Sequence, residues 1–169
     1  MRKYSVYFLL LFILMQLSTA MNNKGVGKVF AYSLSEENAV LKPANNIFMA
    51  LKNRHYKEVW FLLTTTSKIK IINSICDLMI KKFNQKCNKI KLINDFKNGG
   101  KNAAAYWNSY LKYFDPNMVL NESQWKIKSI KNKKAIISIK YKDAPNPFLL
   151  YLTKEDGKWK VGLLESVLK

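Results

Sequence analysis

Histidine is nearly missing from this chain: His55 is the only one. No Ser-His-Asp or Cys-His pattern surrounds it, so nucleophilic catalysis built on imidazole has little to stand on. Arginine is almost as scarce. Of 29 basic residues, only Arg2 and Arg54 carry the planar fork that grips phosphates and guanine edges in pairs. Nucleic acid is therefore an unfavoured partner in spite of a formal charge of +18. The two cysteines, Cys76 and Cys87, cannot furnish a four-ligand zinc site even with His55. No metal site and no cofactor are expected. Glycine is thin as well, and its one doublet, Gly99-Gly100-Lys101-Asn102, lacks the hydroxyl residue that follows the lysine of a phosphate loop. Asp95 stands where the first glycine of that loop belongs, so the doublet reads as a turn between helices.

Lysine is what the chain has in excess. The first reading is a solvated lysine surface. An anionic surface, such as lipid headgroups or a cell-wall polymer, is the alternative that this charge supports.

The front of the chain has the parts of an export signal. Arg2 and Lys3 precede an apolar run from Val6 to Met15, and Ser18 and Ala20 place small residues at the −3 and −1 positions of a cleavage site. The run is shorter than the ~20 residues of a comfortable membrane span. Residues 1–20 are read as a signal peptide, 21–42 as a polar leader or linker, and 43–169 as one domain. The expected destination is the periplasm or the exterior.

From Pro43 the period becomes helical, with Phe48, Leu51, Val59 and Leu62 on one face and a polar interruption at Asn53-Arg54-His55. Thr66 or Ser67 is a plausible N-cap for the next helix, whose stripe is Ile69, Ile72, Cys76, Met79, Ile80 and Phe83. Ile90, Ile93 and Phe96 mark a third helical stretch. Ala103, Tyr106, Trp107 and Tyr110 mark a fourth, closed by Asp115-Pro116-Asn117. After that the period drops to two. Trp125 and Ile127, then Ala135, Ile137, Ile139 and Tyr141, alternate with polar residues, and short turns separate these runs from Phe148–Leu152 and Trp159–Leu163. Helices first and an antiparallel meander after give an α+β class, with N-terminal helices packed on a curved four-stranded sheet.

Two segments carry a family resemblance. Pro43 through Lys52 with Tyr56–Leu63 resembles the opening helix pair of the nuclear-transport-factor-2-like superfamily. Lys154-Glu155-Asp156-Gly157-Lys158-Trp159-Lys160-Val161 is similar to the last hairpin of its exported bacterial members. The resemblance implies a cone, a bent sheet wrapped round a long helix with a cavity inside. The superfamily holds isomerases, dehydratases and non-catalytic accessory domains, so the resemblance leaves the chemistry open.

The candidate residues divide by role. Cys76 and Cys87 either bridge or remain two thiols; a bridge needs a break in the helix near Asn84-Gln85, because one unbroken helix would hold their Cα atoms about 16 Å apart. Trp60, Trp107, Trp125, Tyr141 and Trp159 are candidate ligand-stacking aromatics. Continued strand alternation from Trp159 places Glu165 on the cavity face, which makes Glu165 and His55 the candidate acid–base groups. An outer sheet face bearing Ile136, Phe148, Leu150, Leu152 and Leu164 among lysines is a candidate homodimer interface. The function expected first is a non-catalytic binding or accessory domain for a protein partner or a small apolar ligand. The alternative is a cone-type enzyme doing acid–base isomerase or dehydratase-like chemistry.

Overall fold

Ser33 opens the first helix, accepting a hydrogen bond from the Glu36 amide at 3.2 Å in a Ser-x-x-Glu capping pattern. This computed structural model describes residues 33–167 except Asp143; the expected export signal and most of the leader lie outside the described residues. Residues 32–169 form a compact unit by themselves.

Helix α1 (Leu34–Lys52) begins nine residues earlier than the sequence pattern suggests, so Pro43 lies inside it and is buried. The reason is the Ser33 cap together with the stripe Val40, Ala44, Ile47, Phe48 and Leu51, whose helical spacing reaches back at Val40 into the stretch read as linker. The chain turns at Arg54, which takes a left-handed φ of 58°. It re-enters as α2 (Tyr56–Leu62), followed by α3 (Thr65–Phe83), α4 (Lys89–Asn98), α5 (Lys101–Tyr110) and the short α6 (Pro116–Asn121). The cap of α3 is Thr64, not Thr66 or Ser67, and its side chain accepts from the Ser67 amide. Asp115-Pro116-Asn117 does not end the helical half but starts α6: the Asp115 side chain accepts from the Asn117 amide, with Pro116 at the first helical position.

The sheet follows in meander order, β1 (Ser123–Lys131), β2 (Lys134–Tyr141), β3 (Phe148–Glu155) and β4 (Lys158–Gly162), antiparallel throughout, curved and not closed. The class is α+β, with helices on one face of a four-stranded sheet, as the period switch implies. A register shift between Ile127 and Ser129 bends β1 against β2. The terminal helix α7 (Leu163–Val167) closes the described chain.

Register decides which side chains face the helices. Ile137 pairs with Leu150, Ala135 with Leu152, and Leu152 with Val161, so all of these point to the core. Leu150 and Leu152 are therefore buried at 0% and 1% exposure and are not on the outer face. Phe148 pairs with Ile139 and shares that inner face. The outer apolar strip is Ile136, Leu149 and Tyr151, all half-buried. The error came from β3, apolar at every position from Phe148 to Leu152, which gives alternation nothing to read. Trp107, Phe48, Phe96, Ile47 and Leu51 are among the largest side chains of the core and are fully buried.

Candidate functional site

Helices α2, α3 and α4 meet along a groove of about 510 Å³. Its apolar lining is Trp60, Phe61, Ile69, Ile72 and Ile93. Three lysines rim it: Lys68 from α3, and Lys89 and Lys97 from α4. Lys89, Ile93 and Lys97 are spaced i, i+4, i+8, so one face of α4 presents amine, sec-butyl and amine in a row. The groove is within the usual range of small-molecule sites, roughly 300–1,000 Å³, and has their chemistry of apolar walls with a few placed polar groups.

The lysines are placed by contacts. Lys68 lies over the Trp60 ring, 5.6 Å from its centroid. Burial favours its neutral form, and the charges of Lys160 and Lys97 push the same way, against an opposing pull from Glu155; the amine therefore titrates below an ordinary lysine. Lys160 donates to the Phe61 carbonyl at 2.5 Å, which holds its positive charge close to the groove. Lys89 donates to the Asn73 side-chain oxygen at 2.9 Å across the α3–α4 seam. The charges of Lys160 and Lys97 thus repel that of Lys68 over the apolar floor.

The groove is held open by its surroundings. Glu155, at the end of β3, accepts from the Thr65 amide at 3.0 and 3.1 Å and from its hydroxyl at 2.8 Å, fixing the first turn of α3. Cys76 and Cys87 form a disulfide with their Cα atoms 5.2 Å apart, tying the start of α4 back onto α3. The helix break this requires is at Asn84, in the left-handed region at φ 50°. At the far end of α4, Gly99 (φ 66°) and Gly100 form an interhelix turn, and Asp95 accepts from the Ala103 amide at 2.9 Å. Lys57 backbone nitrogen lies 3.1 Å from where a Cβ on Gly99 would be, so both conformation and space call for glycine there.

A second hollow, about 290 Å³, opens between the α5–α6 region and the sheet, lined by Tyr110, Phe114, Ile139, Tyr141 and Phe148 among others. Burial and then the neighbouring Tyr106 hold the Tyr110 hydroxyl protonated far above its ordinary range. Lys142 pairs with Glu122 at 2.7 Å beside Tyr141. This hollow is smaller than the α2–α4 groove and has no lysine on its lining.

The five aromatics singled out in the sequence do not share a site. Trp60 lines the groove and Tyr141 the second hollow. Trp107 is fully buried among Tyr106 and Tyr110. Trp125 stands edge-on to Phe48 and donates its indole N–H to the Val119 carbonyl at 2.9 Å. Trp159 is a core residue with Lys154 over its ring at 5.9 Å.

Glu165 is not on a strand. β4 ends at Gly162 and Leu163 starts α7, so alternation fails one residue after the glycine. The Glu165 carboxylate accepts from the Thr64 hydroxyl at 2.5 Å and from the Ser67 hydroxyl, and the Ser67 oxygen also accepts from the Leu164 amide at 3.0 Å. Thr64 and Ser67 are 1% and 0% exposed, so the carboxylate satisfies two buried donors and locks α7 to the start of α3. His55 is exposed at the start of α2, 3.8 Å from Glu58. The two groups have separate partners and do not form a pair.

Sequence reasoning missed the groove because lysine is everywhere in this chain. Its signal was the spacing Lys89-Ile93-Lys97, beside a lysine and apolar residues at Lys68, Ile69 and Ile72. Among the described residues, no group of three or more His, Cys, Asp or Glu gathers as a metal site, and no helix is long and apolar enough to cross a membrane. Comparison with protein-family models, curated proteins and solved structures finds no match for the chain.

Proposed function

We propose that this protein is an exported, non-catalytic binding module that holds an amphipathic anion, an apolar chain ending in a carboxylate or phosphate, in the α2–α4 groove. The observation that carries the reading is the apolar groove rimmed by Lys68, Lys89 and Lys97. The chain of the ligand covers Trp60, Ile72 and Ile93, and its headgroup relieves the repulsion among the amines. This keeps the expected small apolar ligand but moves it out of the cone and onto the helices. Export to an oxidising compartment is supported by the Cys76–Cys87 bridge. The cone-type enzyme reading loses support, because its proposed acid and base have separate partners.

Calorimetric titration with laurate, dodecyl phosphate and dodecanol tests this. Both anions bind in the micromolar range and the neutral alcohol binds at least about fivefold more weakly. Equal affinity for all three, or no binding, overturns the reading; time-dependent loss of the ligand would revive the enzyme. The pH dependence has a definite sign. Burial and the charges of Lys160 and Lys97 lower the Lys68 pKa, so carboxylate affinity falls as pH rises, and does so at a lower pH than an ordinary lysine would give.

A further inference from the structure

Beyond Cys76, α3 leaves the core and its side chains turn to solvent. Ile80 is 55% exposed, Phe83 60%, and Ile90 in the first turn of α4 73%. Ile69, Ile72, Cys76, Ile80 and Phe83 follow one another at intervals of three and four, so they lie along one side of α3. The apolar lane that floors the groove therefore continues outward to the end of the helix.

The same tip is strongly basic. Between Asp77 and Asp95 there is no acidic residue, while Lys81, Lys82, Lys86, Lys89 and Lys91 fall in that interval. All five are exposed. The tip is also fixed before it meets anything, because the disulfide joins its two sides and Asn88 caps α4 by accepting from the Lys91 amide at 3.0 Å. A preorganised surface loses little entropy on docking.

We propose that this tip, the end of α3 through the first turn of α4, is a docking surface for a membrane bearing anionic lipids. Phe83, Ile80 and Ile90 enter the headgroup–acyl boundary, and the five lysines meet the lipid phosphates around them. The argument for this occupant is charge complementarity: exposed apolar side chains lie among amines, with no carboxylate between Asp77 and Asp95. An acidic protein would supply the charge, but a lipid surface also takes up the exposed apolar side chains of Ile80, Phe83 and Ile90. The inference shares Lys89 with the groove but does not depend on a groove ligand, and the shared lane would let an amphiphile pass from membrane to groove.

The test is co-sedimentation of the chain beginning at Met21, which contains the whole compact unit of residues 32–169, with vesicles of phosphatidylcholine alone or mixed with phosphatidylglycerol. Binding is expected only to the mixed vesicles, weakening at high salt. Phe83→Ser lowers the partition about tenfold, and Lys81→Ala and Lys82→Ala lower it about fivefold each. Lys126→Ala with Lys128→Ala, on the exposed edge strand, is the control for bulk charge and leaves binding unchanged. Four results overturn the proposal: no binding to mixed vesicles, equal binding to neutral ones, a loss in the edge-strand variant as large as in the tip variants, or self-association in solution that Phe83→Ser abolishes. A groove variant, Ile93→Glu, separates the two readings, since it removes laurate binding while vesicle binding persists.

Discussion

The two halves of α3 are built from similar residues and lead opposite lives. In the first half, Ser67, Ile71 and Ile72 are buried, Thr64 caps the helix, and carboxylates from β3 and α7 reach over to hold it. In the second, Leu78, Ile80 and Phe83 are large and apolar, and among the described residues they stay exposed. The disulfide at Cys76 marks the border. Apolar content alone does not say which half is core; the partners across the fold do. The difference suggests that the first half serves stability and the second serves contact with something outside the molecule.

The comparison can be broken first at its buried end. Ile71→Ala removes packing at a site with 0% exposure, and should cost about 2–5 kcal/mol in chemical denaturation. A cost below that of an exposed position would mean the first half is not the anchor. The border comes next. Replacing both Cys76 and Cys87 by Ser frees an 11-residue separation, for which chain entropy gives a loss of about 3 kcal/mol. Reductant should lower the melting temperature of the native protein and leave that of the double variant unmoved.

Glu165→Gln is expected to be smaller. The carboxylate accepts from two hydroxyls, and an amide leaves at least one of those buried donors without an acceptor, a loss of about 1–3 kcal/mol. A neutral or stabilising result would show that the link between α7 and α3 carries no weight. Lys68→Met tests the groove edge between the halves. Burial and the charges of Lys160 and Lys97 work against the Lys68 charge, so the empty variant should melt slightly higher while binding laurate more weakly. If both properties fall together, Lys68 is structural and its amine is no part of a site.

How much of this was legible follows the same division. The switch from period 3.6 to period 2 gave the order of helices and strands, because turns such as Glu155-Asp156-Gly157-Lys158 are local chemistry. The helix break near Asn84 was legible only as something the sequence permits and a Cys76–Cys87 bridge requires. What stayed hidden depends on distant partners. Leu150 and Leu152 face inward because of their register with Ile137 and Ala135, and a strand apolar at every position does not display its register. Glu165 left the strand pattern because α7 turns back after Gly162, where Thr64 and Ser67, about a hundred residues earlier in the chain, supply its partners. The groove was hidden for a different reason, since three placed lysines look like all the others until α3 and α4 are brought together.

The smallest expected effect on stability sharpens the comparison most. Ile80→Ser replaces a side chain that is 55% exposed, in the half of α3 that packs on little, so its stability change should lie within about 0.5 kcal/mol. The same chemical change at Ile71 would be severe, although both residues are isoleucines on one helix, nine positions apart. Isoleucine and serine have about equal helix propensities, so backbone preference adds little to that margin. If urea denaturation instead shows a loss of several kcal/mol, Ile80 packs against something in solution, and the second half of α3 is core after all. That result would remove the free apolar surface on which membrane docking rests. An unchanged stability leaves the exposed isoleucine without a structural reason to be there, and a fall in vesicle binding in the same variant would supply one.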